Sequence, residues 1–211
     1  MAAQIFTVYG SVPGPESERA VMYCADIIAG GGIAAFPTET VYGIGCNGLD
    51  VAAVEKLYSA KMRPPVKPLS LCVASLAAAE EIAFFDERAR RVFKAFLPGP
   101  LTLVLKRREC VPSVVTAGGD TVGIRVPAHP IALGIAEACG VPIALPSANI
   151  SGMGAPTDGK RVIETLADRV DAIIDAGETA VGVESTILSL VAEPRIIRQG
   201  ALPLSKLEEC F

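Results

Sequence analysis

The chain has 211 residues and a formal net charge of −4, and 51% of its residues are hydrophobic while 20% are charged. This composition can fill a large buried core and excludes an intrinsically disordered chain. Tryptophan is absent, aromatic residues make up 5% of the chain and the balance is acidic, which disfavours a protein whose main surface coats nucleic acid. We find no internal repeat or linker and expect a single domain, residues 1–211.

Short strands and helices are predicted to alternate along the whole chain. Hydrophobic spacing, glycines and prolines set their limits, and Asp50, Ser75 and Asp86 are in position to cap helices. In chain order we predict a strand at 5–8, a turn at 12–15, a helix at 16–29, a strand at 33–36, helix 51–60, strand 69–74, helices 75–83 and 86–97, strands 101–106 and 121–126, helix 131–139, strand 142–145, helix 159–168, strands 172–175, 186–191 and 195–198, and a terminal helix at 202–211.

The interleaved elements do not form a clean βαβ repeat, so we predict an α/β fold with a largely mixed sheet. In the helix at 51–60, the side chains of Val51, Val54, Leu57 and Tyr58 are expected to point inward. No strand is assigned to residues 37–49.

The six cysteines form no CxxC pair and no pair with metal-ligand spacing. Most lie in apolar surroundings, which indicates reduced thiols in a cytoplasmic protein. The N-terminus lacks the basic region of a secretory signal, and the longest apolar run, residues 27–37, is too short for a membrane span.

The segment 61–69 carries three cations, Lys61, Arg63 and Lys67, in seven residues of an acidic chain. Its three prolines predict an extended, stiff segment. We interpret it as a site that grips an anion, such as a phosphate chain. The alternative is a solvated basic loop.

Two nucleotide-binding patterns fail on their context. Residues 43–48 fit G-x-G-x-x-G, but six residues separate them from the preceding strand and no acidic residue follows at the required place. Residues 154–160 fit G-x-x-x-x-G-K, but Arg161 replaces the Ser or Thr that would hold Mg²⁺. Neither a Rossmann site nor a Walker A loop is predicted.

His129, the only histidine, lies between prolines, where a structural role at a helix start is the better interpretation. No hydrolytic triad motif and no metal-ligand spacing is present. Any Mg²⁺ is therefore expected to be held by substrate phosphates rather than by protein ligands.

Arg125 lies within an apolar predicted strand, on the same face as Gly123, which leaves room for a ligand. A guanidinium there suits a carboxylate, and the alternative is an edge-strand arginine in water. The polar loop 147–157 follows another buried strand, a usual place for a site, although a plain capped turn explains it nearly as well. Residues 184–186 are a weaker signal.

Taken together, these segments resemble the YrdC/YciO family, the threonylcarbamoyl-AMP synthases. The matching segments occur in family order over about residues 5–200. They are residues 36–45, 61–64 with 68–69, 98–102, 122–127 with 129–130, 146–149 with 151–152, 156–157 and 184–186. The chain resembles a short, single-domain member.

The resemblance implies a twisted open sheet with flanking helices around a concave cationic cleft. It also implies condensation of L-threonine, bicarbonate and ATP to threonylcarbamoyl-AMP, with release of pyrophosphate. Mg²⁺ would accompany ATP. The product would pass to downstream tRNA threonylcarbamoyl-transfer proteins for N6-threonylcarbamoyladenosine at position 37, and weak binding of tRNA itself is a further expectation.

Site residues carried over from the family form an ATP site and a threonine site, and two residues of the ATP site would also be catalytic. Lys61 and Arg63 would be catalytic, acting on the phosphates. The ATP site would comprise Lys61, Arg63, Lys67, Thr121, Asn149, Thr157 and Arg198. The threonine site would comprise Thr40, Arg125, Ser147 and Ser185.

Two positions depart from the family pattern. Cys72 stands where many members have a histidine near threonine, and Lys67 follows Pro64-Pro65-Val66, where one well-known form has a different sequence. Two alternatives stay open: an RNA-binding or regulatory module that uses the same cleft, and a paralogue with another acceptor or without activity.

Overall fold

The computed structural model describes residues 2–8 and 14–208. Residues 12–13 of the predicted turn and residues 209–211 of the predicted terminal helix lie outside the described residues. The elements are β1 (Gln4–Thr7), α1 (Pro15–Ala29), β2 (Ala34–Phe36), β3 (Gly43–Asn47), α2 (Val51–Ala60), β4 (Ser70–Cys72), α3 (Leu76–Glu80), α4 (Glu87–Phe96), β5 (Leu101–Lys106), β6 (Thr121–Arg125), α5 (Pro130–Cys139), β7 (Ile143–Ala144), α6 (Gly159–Leu166), β8 (Ala172–Asp175), β9 (Thr186–Ser189), β10 (Arg195–Arg198) and α7 (Leu204–Glu208).

Within these residues the strands form one ten-stranded open sheet in the order β1-β8-β2-β3-β7-β4-β6-β5-β9-β10. Four neighbouring pairs are parallel (β1/β8, β8/β2, β4/β6 and β5/β9) and the other five are antiparallel. The predicted mixed α/β sheet with flanking helices is therefore confirmed.

Side chains alternate between two cores, one on each face of the sheet. On β4, for example, Leu71 packs into the larger core and Cys72 into the smaller one. Helices α1 and α5 cover the smaller core, and α2, α3, α4, α6 and α7 contribute to the larger. Helix α1 packs on β3, β8 and β2. The smaller core that α1 and α5 cover includes Cys72 of β4 but no residue of β6 or β5, so that face of β6 and β5 can hold a cleft.

The predicted helix caps are confirmed. The side chain of Asp50 accepts hydrogen bonds from the amides of Ala52 and Ala53, and Ser75 and Asp86 cap α3 and α4 in the same way. Each cap satisfies amides that the first helical turn leaves unpaired. His129 caps α5, as its sequence position indicates: its Nδ1 accepts from the amide of Ile131.

Three expectations about these elements are wrong. Residues 43–47, left unassigned, form strand β3, where Leu145 and Ile143 of the neighbouring strand region would collide with any side chain at Gly43 or Gly45. The 61–69 segment is turned rather than extended, because the amide of Lys67 donates to the carbonyl of Pro64. Val51 is 48% exposed, since it lies in the first turn of α2.

Four cysteines, Cys24, Cys46, Cys72 and Cys139, are buried and free, which agrees with the interpretation of core thiols. Cys110 is exposed and free, and Cys210 lies outside the described residues. No helix in residues 2–8 and 14–208 is both long enough and apolar enough to cross a membrane.

Candidate functional site

A cleft of about 160 Å³ opens over β4, β6, β5 and the start of β9, on the face that α1 and α5 leave uncovered. Five of the predicted site residues line it: Arg63, Arg125, Ser147, Ser185 and Arg198. Three more, Lys61, Thr40 and Asn149, contact residues of the lining by hydrogen bonds. Segments far apart in the sequence thus meet at one place.

Arg125 forms the buried part of the cleft. Its Nη2 donates to Glu39 Oε1 and to Thr40 Oγ1, each at 2.8 Å. The Arg125 and Glu39 side chains are only 13% and 11% exposed. Since β6 lies between β4 and β5, the alternative of an edge-strand arginine in water is wrong.

The space next to Gly123 is occupied by protein rather than left for a ligand. A Cβ at this position would lie 2.6 Å from Ser70 Oγ and 3.1 Å from Thr102 Cγ2. Ser70 and Thr102 both line the cleft. The glycine therefore lets two small hydroxyl-bearing side chains pack over β6, which corrects the expectation of an open approach.

Ser185 and Arg198 meet on the side of the cleft formed by β9 and β10. Ser185 Oγ lies 2.9 Å from Thr102 Oγ1, and the guanidinium of Arg198 donates to the carbonyl oxygen of Ser185 at 2.9 Å. Arg198 also pairs with Glu184 at 2.9 Å, with both side chains about 40% exposed (38% and 42%). This ion pair is open to solvent, unlike that of Arg125.

Lys61 is 1% exposed and directs its ammonium inward. Its Nζ donates to the carbonyl oxygens of Ser147 and Asn149, the latter at 2.6 Å. Burial and, to a smaller extent, the charge of Arg63 lower the pKa of Lys61 to about 7, and Glu184 opposes the shift. The amine therefore changes charge near neutral pH.

The loop after β7 is held by hydrogen bonds between its own residues and by hydrogen bonds to Lys61. Ser147 Oγ donates to Asn149 Oδ1 at 2.6 Å, and the side-chain nitrogen of Asn149, Nδ2, donates to the carbonyl of Met153 at 2.6 Å. The amide of Ser151 donates to the carbonyl of Lys61. Together with the ammonium of Lys61, these bonds give the loop one defined shape.

Arg63 is half-buried and bonded to its own loop, since Nε and Nη2 donate to the carbonyls of Lys67 and Pro68. Lys67 is exposed and does not line the cleft. Neither do Thr121 and Thr157. Thr121 begins β6, four residues and therefore roughly 13 Å along the strand from Arg125, and Thr157 lies just before α6, where its carbonyl accepts from the amide of Thr179.

Sequence reasoning missed several residues of the site. Glu39 and Glu184 stand beside residues that were chosen, Thr40 and Ser185, and each forms an ion pair with a predicted arginine. Nothing in the local sequence signals these partners. Other unpredicted residues of the lining include Val41, Ser70, Leu71, Thr102, Leu145, Pro146 and Ile187.

Cys72 also lines the cleft, next to Arg125 in the register of β4 and β6. Burial raises the pKa of its thiol to about 12 although the charge of Arg125 opposes this. The thiol is therefore protonated and is not a nucleophile. Burial likewise lowers the pKa of His129, which favours neutral imidazole.

The chemistry open to this cleft is binding and electrostatic stabilisation of anions. Three guanidiniums line it, but two of them are paired with Glu39 and Glu184, so the expected cationic cleft stays a prediction. Among residues 2–8 and 14–208 no group of three His, Cys, Asp or Glu side chains could hold a metal ion. Glu184, the one carboxylate in the described lining, fits a metal only as a partner to substrate phosphates.

Comparison with known proteins gives close relatives. The threonylcarbamoyl-AMP synthase of Pyrococcus abyssi is 47% identical over 194 residues, 91% of this chain and 57% of the relative. That of Bacillus subtilis is 42% identical over 179 residues, 83% and 52%. The chain thus spans little more than half the length of these curated relatives.

The fold is shared as well. The crystal structure of P. abyssi Sua5 complexed with L-threonine superposes with a TM-score of 0.93 at 45% identity, covering 98% of this chain and 60% of that one. The Sua5/YciO/YrdC family model, described as "Telomere recombination", matches residues 26–200. The chain therefore belongs to the Sua5/YciO/YrdC family.

Proposed function

We propose that this chain is a threonylcarbamoyl-AMP synthase, a nucleotidyltransferase that condenses L-threonine, bicarbonate and ATP and releases pyrophosphate. The observation that carries the proposal is a single cleft lined by three guanidiniums. That of Arg125 is buried, and those of Arg63 and Arg198 are more exposed. Close relatives are named for this activity. A substrate carboxylate and a phosphate chain can be held there side by side.

The amino acid would bind at the buried part of the cleft. Arg125 takes the threonine carboxylate, with Thr40, Ser147 and Ser185 around the rest of the molecule. The whole cleft has a volume of about 160 Å³, which is below that of pockets for drug-sized ligands, roughly 300–1,000 Å³, and suits a small substrate. The nucleotide would therefore extend beyond the cleft.

The triphosphate would bind at the more open part, to Arg63, Arg198 and Lys67, and the Lys61 ammonium would act on it from its buried position beneath the 147–149 loop. Asn149, Thr121 and Thr157 would line the rest of the nucleotide site. Mg²⁺ bound to the phosphates would offset part of their charge.

The reaction needs no protein nucleophile. The threonine amine adds to CO₂ derived from bicarbonate and loses a proton, which forms an N-carboxylate. A carboxylate oxygen then attacks the α-phosphorus of ATP as the bond to the pyrophosphate oxygen breaks. The cleft contributes position and charge stabilisation, which is sufficient for phosphoryl chemistry of this kind.

The rest of the proposal concerns the location of the protein in the cell and the fate of its product. We propose that the chain acts as one domain in the cytoplasm, and that its product passes to tRNA threonylcarbamoyl-transfer proteins that modify adenosine 37. Weak direct binding of tRNA belongs to the same proposal.

Pyrophosphate release with each substrate omitted in turn tests the function. We expect release that requires ATP, threonine and bicarbonate together. Equal release with serine, or without any amino acid, would contradict the assigned substrate. Tight and salt-steep binding of tRNA without threonine-dependent turnover would favour a binding module instead.

A further inference from the structure

The guanidiniums of the cleft differ in how their charge is compensated. Arg125 and Glu39 form an ion pair that is almost fully buried, with a nitrogen–oxygen distance of 2.8 Å. Among the described residues, Arg63 has no carboxylate partner and donates only to backbone carbonyls, and the same holds for Lys61. The amino-acid part of the cleft is therefore close to neutral, while the part beside Arg63 carries a positive charge that no described carboxylate pairs with.

This difference matters because the proposed reaction brings two kinds of anion into one cleft. Phosphate groups carry more charge than a carboxylate and respond more strongly to an uncompensated cation. A lone buried arginine would attract phosphate, pyrophosphate or the ATP tail as well as threonine. A neutralised arginine recognises its ligand through the geometry of its hydrogen bonds instead.

The hydrogen bonds of the pair hold the Arg125 guanidinium in one orientation. Both hydrogens of Arg125 Nη2 are used, by Glu39 Oε1 and Thr40 Oγ1. Arg125 Nε and Glu39 Oε2 are buried and have no hydrogen-bond partner in the part of the chain that the structure describes. Neither atom is exposed in the cleft, and Glu39 does not line it, so the pair presents to a ligand a fixed guanidinium whose charge is already compensated.

An α-amino acid carries an ammonium group beside its carboxylate, so the negative charge of Glu39 favours one end of the ligand while Arg125 binds the other. A phosphate oxyanion has nothing comparable for Glu39, and its charge meets that of the carboxylate. Burial strengthens both effects, because the local dielectric constant is low.

We propose that Glu39 determines the specificity of the Arg125 subsite: it holds and neutralises the guanidinium, so that the subsite accepts the carboxylate of an amino acid and rejects phosphate. The inference rests on the proposed function. It assigns Glu39 a positioning and selective role, through Arg125, and no part in bond making or breaking.

Inorganic phosphate as an inhibitor of pyrophosphate release tests this role. In the wild-type chain we expect phosphate to compete with ATP and leave the KM for threonine unchanged. In Glu39→Gln, which keeps an acceptor for Nη2 but removes the charge, phosphate should also compete with threonine. The KM for threonine should stay within about threefold without phosphate and rise on the order of tenfold at millimolar phosphate.

Glu184→Gln is the matched control, since it removes the same charge from the exposed pair with Arg198. It should leave phosphate non-competitive with threonine. A merely structural role for Glu39 would change thermal stability or kcat without creating this competition. Circular dichroism checks that each variant is folded.

Two outcomes would overturn the inference. One is a Glu39→Gln chain whose KM for threonine does not respond to phosphate. The other needs no variant: phosphate that competes with threonine in the wild-type chain. A wild-type chain that binds no threonine in calorimetry would instead refute the proposed function, so the two failures are distinguishable.

Discussion

Lys61 shows how burial converts an ordinary surface residue into a titrating one. Its ammonium lies beneath the 147–149 loop and bonds to two carbonyl oxygens, which supply no compensating charge. Burial and the neighbouring Arg63 therefore lower its pKa to about 7. A neutral amine still has two N–H groups for the two carbonyls, so the loop keeps its support in both protonation states.

Because of this shift, we expect ATP affinity to depend on pH. Phosphate near Lys61 favours the ammonium and raises its pKa in the complex, so binding above about pH 7 must take up a proton. Affinity should be constant below that pH and fall as the pH rises above it. Calorimetric titration with ATP on both sides of pH 7 measures this.

Lys61→Met is the control for the pH dependence, because it removes the titrating group and keeps most of the buried volume. Its ATP affinity should be lower and nearly flat above pH 7. An unchanged slope in this variant would assign the pH dependence to another group.

Arg63 presents charge to the cleft without a carboxylate partner among the described residues, and its removal should weaken ATP binding. A charge-assisted hydrogen bond contributes about 1.5–3 kcal/mol, so Arg63→Ala should lower kcat/KM for ATP roughly ten- to hundredfold. Steady-state pyrophosphate release measures the effect. Arg91→Ala, on the exposed side of α4, is the control, and near-wild-type turnover in Arg63→Ala would remove Arg63 from the phosphate site.

At the scale of elements, α2 connects the sequence signal of a helix to the site. The helix begins after the Asp50 cap and ends at Lys61, whose backbone and side chain both bond to the 147–151 loop. Leu57 and Tyr58 on its inner face are buried. The orientation of Lys61 thus follows from where the helix stops.

Removal of the cap should destabilise this element. Asp50→Ala leaves the amides of Ala52 and Ala53 without their side-chain acceptor, 2.9 and 3.2 Å away in the wild type. We expect a loss of about 1 kcal/mol in the free energy of unfolding, measured by urea denaturation. Glu55→Ala, on the exposed face of the same helix, should change it by less than about 0.5 kcal/mol, and equal effects of the two changes would argue against the cap.

At the scale of the molecule, the sheet separates a packed face from a functional one. On β5, Leu103 is fully buried in the larger core while Thr102 faces the cleft. The same alternation holds on β6, where Ile124 is fully buried in the larger core and Arg125 lines the cleft. Stability and function therefore come from alternate residues of the same strands.

Because of this separation, we expect a cavity in the core to lower the stability of the fold strongly and to affect substrate binding little. Leu103→Ala should lower the free energy of unfolding by about 2–5 kcal/mol, with the KM values for ATP and threonine little changed in the folded fraction. Urea denaturation and kinetics below the transition measure both. Ile197→Ala, where the side chain is 51% exposed, is the matched control, and a loss below about 1 kcal/mol for Leu103 would contradict close packing.

Local patterns were sufficient for much of the fold. Helical spacing and capping residues predicted α1, α2, α4 and α5 to within one or two residues, because capping and amphipathic spacing are properties of neighbouring residues. Strand β3 was not predicted because a glycine-rich stretch is typical of a loop. They are strand residues only because the neighbouring strand region packs against them.

The residues of the cleft could be chosen from ordered family motifs, and Arg63, Arg125, Ser147, Ser185 and Arg198 do meet there. Their partners required the tertiary structure. Glu39 and Arg125 are 86 residues apart and come together only through the sheet and the loop before β3. The strand order β4-β6-β5-β9 does not follow the chain. Residue types and local elements are thus written in short stretches of sequence, whereas charge pairing, burial and the pKa of Lys61 arise only when distant segments pack together.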